Sequence, residues 1–229
     1  MSYGQNMPWG LQATKTLTSA TYSGQSSPYL IASGYANNIF KGDPVIITNA
    51  GYIQSLYDWA AAGAGDGGGA NAYGTAGTLG VFVGCSFITT TALNPIDPAS
   101  PGRSYWPAGT ATLNAVPATA FVIDDPNVIY NVQTNATPGL TQAMMGLNAA
   151  TAWDATAGVV NGNTNTGTSL VSIDQATRAV TATLNLKLLR FVAISGNFAA
   201  DAVVPNLGYN NAEVIIQNHV FCSRPAAYA

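Results

Sequence analysis

Few side chains in this 229-residue chain could do acid–base chemistry. Asp124 and Asp125 are the only adjacent carboxylates in the sequence, and Pro126 follows them. A glycosidase needs two carboxyl groups about 5–9 Å apart across a sugar, whereas neighbours on an extended chain point to opposite faces. We therefore interpret Asp124 and Asp125 as turn residues, with a weak cation site as the alternative.

The other candidate reactive groups also lack the partners that catalysis needs. His219, the only histidine, could act as a general base, but no Gly-x-Ser-x-Gly nucleophile motif occurs, so we predict a strand-end histidine satisfied by backbone. The glycines from Gly63 to Gly69 lack the Gly-Lys-Ser/Thr ending of a phosphate-binding loop. The sequence therefore predicts no enzymatic activity and no cofactor.

The two cysteines, Cys85 and Cys222, lie far apart in the sequence. Together with one histidine they are too few for a structural zinc site, which usually takes four such ligands, so we expect no metal. We predict that both thiols are buried and reduced. A disulfide between them stays open, because sequence alone does not fix cysteine pairing.

Charge is nearly absent from the chain. Only 7% of residues are Asp, Glu, Lys or Arg, against roughly 25% in an ordinary soluble domain. The cores of protein interfaces are depleted in Lys, Glu and Asp and enriched in aromatic residues, and this chain has 11 Tyr, 7 Phe and 4 Trp. The composition therefore predicts a chain that packs against copies of itself or against a larger assembly.

Two classes of partner are not expected. A formal net charge of -3 leaves no basic stripe of the kind that displaces counterions from nucleic acid. No stretch reaches the roughly 18 apolar residues of a membrane helix, and the first residues show no basic and apolar signal segment. We therefore expect neither a nucleic-acid partner nor a membrane partner.

The apolar runs predict the elements that would position these residues. Short β-branched runs between Gly, Pro and Asn turns indicate about eight strands. The spacing of Leu140, Met144 and Leu147 favours a single short helix at 139–152. The predicted fold is all-β, a β-barrel or jelly-roll-like sandwich. The runs from which these strands are predicted lie at 29–32, 45–48, 52–56, 79–91, 120–123, 128–133, 169–173, 184–194 and 213–221.

The chain divides into two predicted parts. Residues 1–28 show no helical period and are predicted to be an extended N-terminal arm. Residues 29–229 are predicted to form a single β-rich domain with long loops near 59–78 and 92–119. Because an exposed tryptophan is unfavourable, we expect the arm to lie across a neighbouring subunit.

Several short motifs are spread over most of the chain. They are Pro-Trp-Gly-Leu at 8–11, Tyr-Leu-Ile at 29–31, Ile-Phe-Lys-Gly-Asp-Pro-Val at 39–45, Asp-Asp-Pro-Asn-Val-Ile-Tyr-Asn-Val-Gln at 124–133, Leu-Lys-Leu-Leu-Arg-Phe-Val at 186–192 and Val-Ile-Ile-Gln-Asn-His at 214–219. In this order they resemble the capsid decoration (cement) proteins of tailed bacteriophages, in which an aromatic-Gly-Leu arm precedes a Gly-Asp-Pro-Val strand. The chain departs from that pattern in the two long loops.

The resemblance implies a structural protein of the virion without enzymatic activity. Such a protein is assembled in the host cytoplasm as a trimer or dimer and sits on the outer surface of an icosahedral head. There it binds the major capsid protein and stabilises contacts between its subunits against the pressure of packaged DNA. The arm residues Pro8, Trp9 and Leu11 are the candidate contact with a capsid or neighbouring subunit.

Two other functions remain open. The chain could be a phage tail or fibre component or a carbohydrate-binding β-module, whose loop residues Tyr105 and Trp106 would stack on sugar rings. It could also be a hydrolase with an unrecognised site, in which Asp124 or Asp125 would be required for turnover.

Overall fold

The computed structural model describes residues 8–57, 77–89, 103–135, 140–153, 162–181, 183–192 and 209–223. The loop predicted at 59–78 lies almost wholly outside these ranges, as do residues 92–102 of the Pro-rich segment and the first seven residues of the predicted arm.

The described residues are built from antiparallel sheets, and none of their helical segments reaches seven residues. The predicted all-β class is therefore confirmed. The strands in chain order are β1 (Gln12–Thr16), β2 (Ser27–Ile31), β3 (Ile39–Phe40), β4 (Pro44–Ile47), β5 (Ile53–Ser55), β6 (Gly80–Ser86), β7 (Tyr105–Trp106), β8 (Ala118–Ile123), β9 (Val128–Gln133), β10 (Asn148–Ala152), β11 (Gly162–Asn163), β12 (Thr168–Ser169), β13 (Ser172–Ala179), β14 (Leu186–Phe191), β15 (Asn211–Ile216), β16 (Asn218–His219) and β17 (Cys222–Ser223).

The helix predicted at 139–152 is wrong. A single 3-10 turn at Gln142–Met144 is followed by strand β10. Gly146 has a φ of +90°, which an α-helix does not contain. Beyond it β10 pairs with both β13 and β14, so sheet hydrogen bonding outweighs the helical spacing of Leu140, Met144 and Leu147.

Two large sheets carry the fold. The six-stranded sheet has the order β1-β9-β15-β14-β10-β13, and the five-stranded sheet has the order β2-β8-β6-β4-β5. Isolated parallel bridges join Leu30 to Tyr52 in one sheet and Thr134 to Ile173 in the other. These bridges indicate that both sheets curl. This arrangement is consistent with a β-sandwich.

Each sheet covers a hydrophobic core. One cluster lies within the five-stranded sheet and includes Phe82 and Trp106. The other lies under the six-stranded sheet and also takes in Val81 and Ile123, which come from strands β6 and β8 of the five-stranded sheet. These two side chains therefore join the sheets, and Leu11 belongs to the same cluster.

The only glutamate in the sequence, Glu213, links three strands of the six-stranded sheet. It lies on β15, where Lys15 Nζ of β1 is 2.7 Å from its Oε1 and Arg190 of β14 donates to its Oε2. Glu213 is 9% exposed, so the ion pairs are partly shielded from solvent. The network ties the N-terminal strand β1 to the centre of the sheet.

We predict that Glu213→Gln lowers the free energy of unfolding by about 1–2 kcal/mol, because Lys15 and Arg190 then lack a shielded counter-charge. Urea unfolding of the wild type, Glu213→Gln, Lys15→Met and the double variant measures the coupling between the two side chains. Fully additive effects of the two substitutions would contradict a stabilising Lys15–Glu213 pair.

Candidate contact site

The N-terminal segment lies across its own chain in the structure. Strand β1 forms the edge of the six-stranded sheet by pairing with β9. Leu11 is 3% exposed, whereas Pro8 and Trp9 are half-buried. The segment is extended as predicted, but its backbone groups are satisfied by β9 and Leu11 fills the chain's own core. Leu11 is therefore not available to a neighbouring subunit in this arrangement.

Two sequence motifs that are far apart in the chain meet in space. The Leu11 N–H donates to Gly42 O at 2.9 Å, and the Gly42 N–H donates to Phe82 O at 2.8 Å. The backbones approach closely, since a Cβ on Gly42 would lie 3.0 Å from Trp9 O and 3.2 Å from Gly10 Cα. The Pro-Trp-Gly-Leu and Gly-Asp-Pro-Val motifs therefore form one structural unit, which we call the N-terminal crossing (residues 9–11 and 41–43).

A third segment closes the N-terminal crossing from the other side. The Ser169 N–H donates to Lys41 O at 2.9 Å, and the Lys41 N–H lies 3.0 Å from both Gly167 O and Ser104 O. A Cβ on Gly162 would lie 2.3 Å from the Phe40 ring. Glycine at positions 42 and 162 therefore permits the close contacts at and beside the crossing.

Gly10 can be tested against a matched glycine. Gly10 has a φ of +74° and a Cβ there would lie 2.6 Å from Ser169 Cβ, whereas Gly24 has a φ of +84° and open space around it. Both alanine variants carry the left-handed penalty of about 1–2 kcal/mol, but only Gly10→Ala also overlaps Ser169. We predict that Gly10→Ala lowers the unfolding free energy by at least about 1 kcal/mol more than Gly24→Ala in urea titrations. Equal losses would contradict a tightly packed crossing.

Asp43 is fully buried beside the crossing. Burial raises the pKa of its carboxyl group to about 7, although the Ser169 hydroxyl and the Phe40 N–H both favour the charged form. The Phe40 N–H donates to Asp43 Oδ2 at 2.8 Å. Neither the residue type of Asp43 nor its place in the Gly-Asp-Pro-Val motif indicates this burial.

The raised pKa gives folding a pH dependence with a definite sign. The pKa of the Asp43 carboxyl group is about 3.9 in the unfolded chain and about 7 in the folded protein. Between these values the folded state holds a proton that the unfolded state has lost. Stability from this group is therefore complete below about pH 4, falls as pH rises to about 7, and is then level.

We predict that Asp43→Asn, which stays neutral, removes this decrease, worth about 4 kcal/mol across the window. The measurement is urea unfolding at several pH values from 4 to 8. Asp125→Asn is the control, because Asp125 is exposed and its loss should leave the slope in place. A slope that survives in Asp43→Asn would contradict the assignment.

A cleft of about 390 Å³ opens beside the N-terminal crossing. Its lining combines aromatic, polar and aliphatic side chains and includes Trp9, Leu11, Gln12, Tyr22, Lys41 and Thr168. Trp9 thus has one side against its own chain and lines a cleft on the other. Of the three predicted arm contacts, Trp9 and Leu11 line this cleft, and Trp9 is the less buried of the two.

The remaining sequence candidates have structural partners. The Ser27 and Tyr29 hydroxyls donate to Asp124, at 2.9 and 2.8 Å. The Asn127 N–H donates to Asp125 Oδ1 at 2.8 Å, as expected of an Asx turn. The turn interpretation is confirmed for Asp125, whereas Asp124 is held by two hydroxyl groups of strand β2.

The histidine and the cysteines also lie in structural positions. His219 is buried in strand β16, and its Nδ1 accepts from the Phe221 N–H at 3.1 Å. This confirms the strand-end interpretation. Both cysteines are free thiols, as predicted; the predicted burial is confirmed for Cys85 and is wrong for Cys222, which is half-buried. Burial raises the pKa of Cys85 to about 12, against the opposing effect of Arg103.

Of the aromatic pair expected to stack on sugars, Trp106 is turned inward and Tyr105 is half-buried. Trp106 is fully buried and its Nε1 donates to Tyr35 O at 3.3 Å. The Tyr105 ring stacks on Phe40 with centroids 5.4 Å apart. Pairing of β7 with β3 makes these residues part of the fold, so Trp106 is not available to a ligand in this arrangement.

Within the described ranges, no three or more His, Cys, Asp or Glu side chains group together in a way that could hold a metal ion. In the same part of the chain, no helix has the length and apolar character needed to cross a membrane.

Exposed apolar side chains are the surface feature that the sequence analysis missed. In the described part of the chain nine large ones are 40% exposed or more: Leu17, Leu30, Ile47, Ile88, Leu113, Val116, Val180, Val220 and Phe221. Apolar residues in a strand sequence indicate a core, and alternation alone does not separate those that face solvent. The low charge content was the only signal of such a surface.

Comparisons with protein-family models, curated protein sequences and solved structures return no match to this chain. Its function is therefore argued from its own residues and geometry.

Proposed function

We propose that this chain is a structural virion protein that binds the outer surface of a phage head and stabilises contacts between major capsid subunits. The observation that carries the proposal is the exposure of nine large apolar side chains on a chain with only 7% charged residues. Single exposed hydrophobic residues are ordinary. Their combination with so little charge favours a surface that is covered in an assembly.

Adhesion through such a surface is energetically reasonable. Burying apolar area contributes about 25 cal/mol per Å² before opposing costs, and lost freedom of motion and side-chain ordering reduce that gain. Because few charges lie on the surface, little charge has to be desolvated on contact. A shell offers many equivalent sites, and linked contacts can hold more tightly than any one of them.

Two of the motifs that carry the resemblance lie in contact at the N-terminal crossing. The 8–11 and 39–45 motifs are linked by the Leu11 N–H donating to Gly42 O, so their shared presence has a structural reason. Self-association as a trimer or dimer belongs to the proposal, with Trp9 and its cleft as the part of the N-terminal segment that remains open to a neighbour.

We predict that the purified protein co-sediments saturably with undecorated heads of the phage that encodes it. Because the contacts are uncharged, its affinity should change less than about threefold between 0.05 and 0.5 M NaCl, where charge-driven binding is strongly screened. Excess unlabelled protein should displace labelled protein, which controls for nonspecific adhesion. Absence of binding would contradict the proposal, as would an affinity that falls tenfold or more with salt. Binding to a glycan array without binding to heads would favour the carbohydrate-binding alternative.

A further inference from the structure

An apolar groove of about 300 Å³ lies where strand β6 ends, against the turn that precedes β8. Its lining includes Phe87, Ile88, Leu113, Val116 and Pro117, together with two small polar side chains, and none of the lining residues that the structure describes is charged. Ile88 is 44% exposed, Leu113 40% and Val116 61%. Three of the nine exposed apolar side chains are thus gathered around one groove.

The backbone that presents two of these side chains is in an unfavourable conformation. Asn114 has a φ of 53° and Ala115 a φ of 56°. Residues with a Cβ rarely adopt this left-handed region, and alanine lacks the short polar side chain that helps asparagine to do so. Unusual backbone of this kind persists only where its surroundings hold it, and it is concentrated at ligand clamps and other functional sites.

Hydrogen bonds hold this turn on both sides. The Leu113 N–H donates to Ile88 O at 2.8 Å, and the Val116 N–H donates to Leu113 O at 3.1 Å. The Thr112 N–H donates to Ser33 Oγ at 3.1 Å, and the Thr112 hydroxyl donates to Val116 O. These hydrogen bonds, and not burial of the Leu113 and Val116 side chains, therefore fix the turn. Both side chains stay exposed to solvent.

The floor of the groove is equally fixed. Phe87 is 7% exposed. Its ring packs edge-to-face against the Trp106 ring, with the two centroids 4.9 Å apart. The Arg103 guanidinium lies 5.0 Å from the centroid of the Phe87 ring, in reach of a cation–π contact. A groove with a fixed floor and fixed walls loses little freedom when a ligand enters it.

The size of the groove decides between possible occupants. One buried aromatic side chain accounts for about 150–250 Å², whereas a stable protein interface buries about 1,200–2,000 Å² in total. The groove is at the small end of the range for binding pockets, about 300–1,000 Å³, so it accepts a side chain rather than a helix. Such a contact is too small to hold a dimer of this chain by itself. It suits a partner that presents many copies in a fixed array.

We infer that this groove receives one large apolar side chain from an uncharged segment of the major capsid subunit. The inference rests on the proposed function and adds to it the contact surface and the chemistry of the segment that occupies it. The described lining residues carry no charge, which favours an uncharged occupant, because a charged group entering the groove would lose its hydration.

The test compares head binding of Leu113→Asn and Val116→Asn with that of Val180→Asn. All three positions are exposed by 40% or more, and Val180 follows strand β13 of the other sheet, so it is a matched control. We expect the two groove variants to bind heads at least tenfold more weakly, with unchanged thermal unfolding, and the control to bind as the wild type does. If wild-type protein binds heads and the groove variants bind equally well, the groove inference is overturned while the proposed function stands. An equal loss in the control also overturns it.

A second measurement identifies the occupant directly. A photo-reactive benzoylphenylalanine at position 113, irradiated on decorated heads, should form a covalent adduct with the major capsid protein, located by mass spectrometry at or beside an apolar residue. Adducts solely between copies of this chain would overturn the inference, as would the absence of any adduct on heads that carry the protein. Failure of the wild-type protein to bind heads at all would instead refute the proposed function.

Discussion

The hydrogen bond from the Leu11 N–H to Gly42 O is the contact on which much of the described structure depends. It fixes the N-terminal segment against the turn that carries Asp43, and it brings Leu11 into the core that joins the two sheets. From there the chain continues into β1, the edge strand that Lys15 ties to Glu213. Gly10 and Gly42 permit this close approach of two backbones. The approach thus organises the junction between the sheets.

The protein has few charged side chains, and two of its carboxylates, Asp43 and Glu213, are buried. Its only glutamate forms a partly shielded ion-pair network, and the Asp43 carboxyl group is buried with a pKa raised to about 7. What remains outside is largely uncharged, with apolar side chains among hydroxyl and amide groups. At the groove the backbone of Asn114 and Ala115 is held in a left-handed conformation, and Leu113 is kept in solvent. A surface of this kind is suited to contact rather than to chemistry.

Strand composition in the sequence predicts most of the strands, because β-branched runs between Gly and Pro turns have few other stable conformations. The segment at 139–152 was mispredicted because helical spacing is a local signal, and strand pairing with β13 and β14 depends on residues far along the chain. The same limit applies to Leu11 and Asp43, whose burial arises only when two distant segments cross. The exposure of Leu113 follows from turn hydrogen bonds that no periodicity encodes.

The most direct test of the account is a cryo-microscopy map of heads incubated with the protein, resolved well enough to place its strands. The account predicts density on the outer surface of the head, oriented so that the groove formed by residues 86–88 and 113–117 faces a capsid subunit. A map in which the protein is absent from the head, or binds with this groove open to solvent, would contradict it.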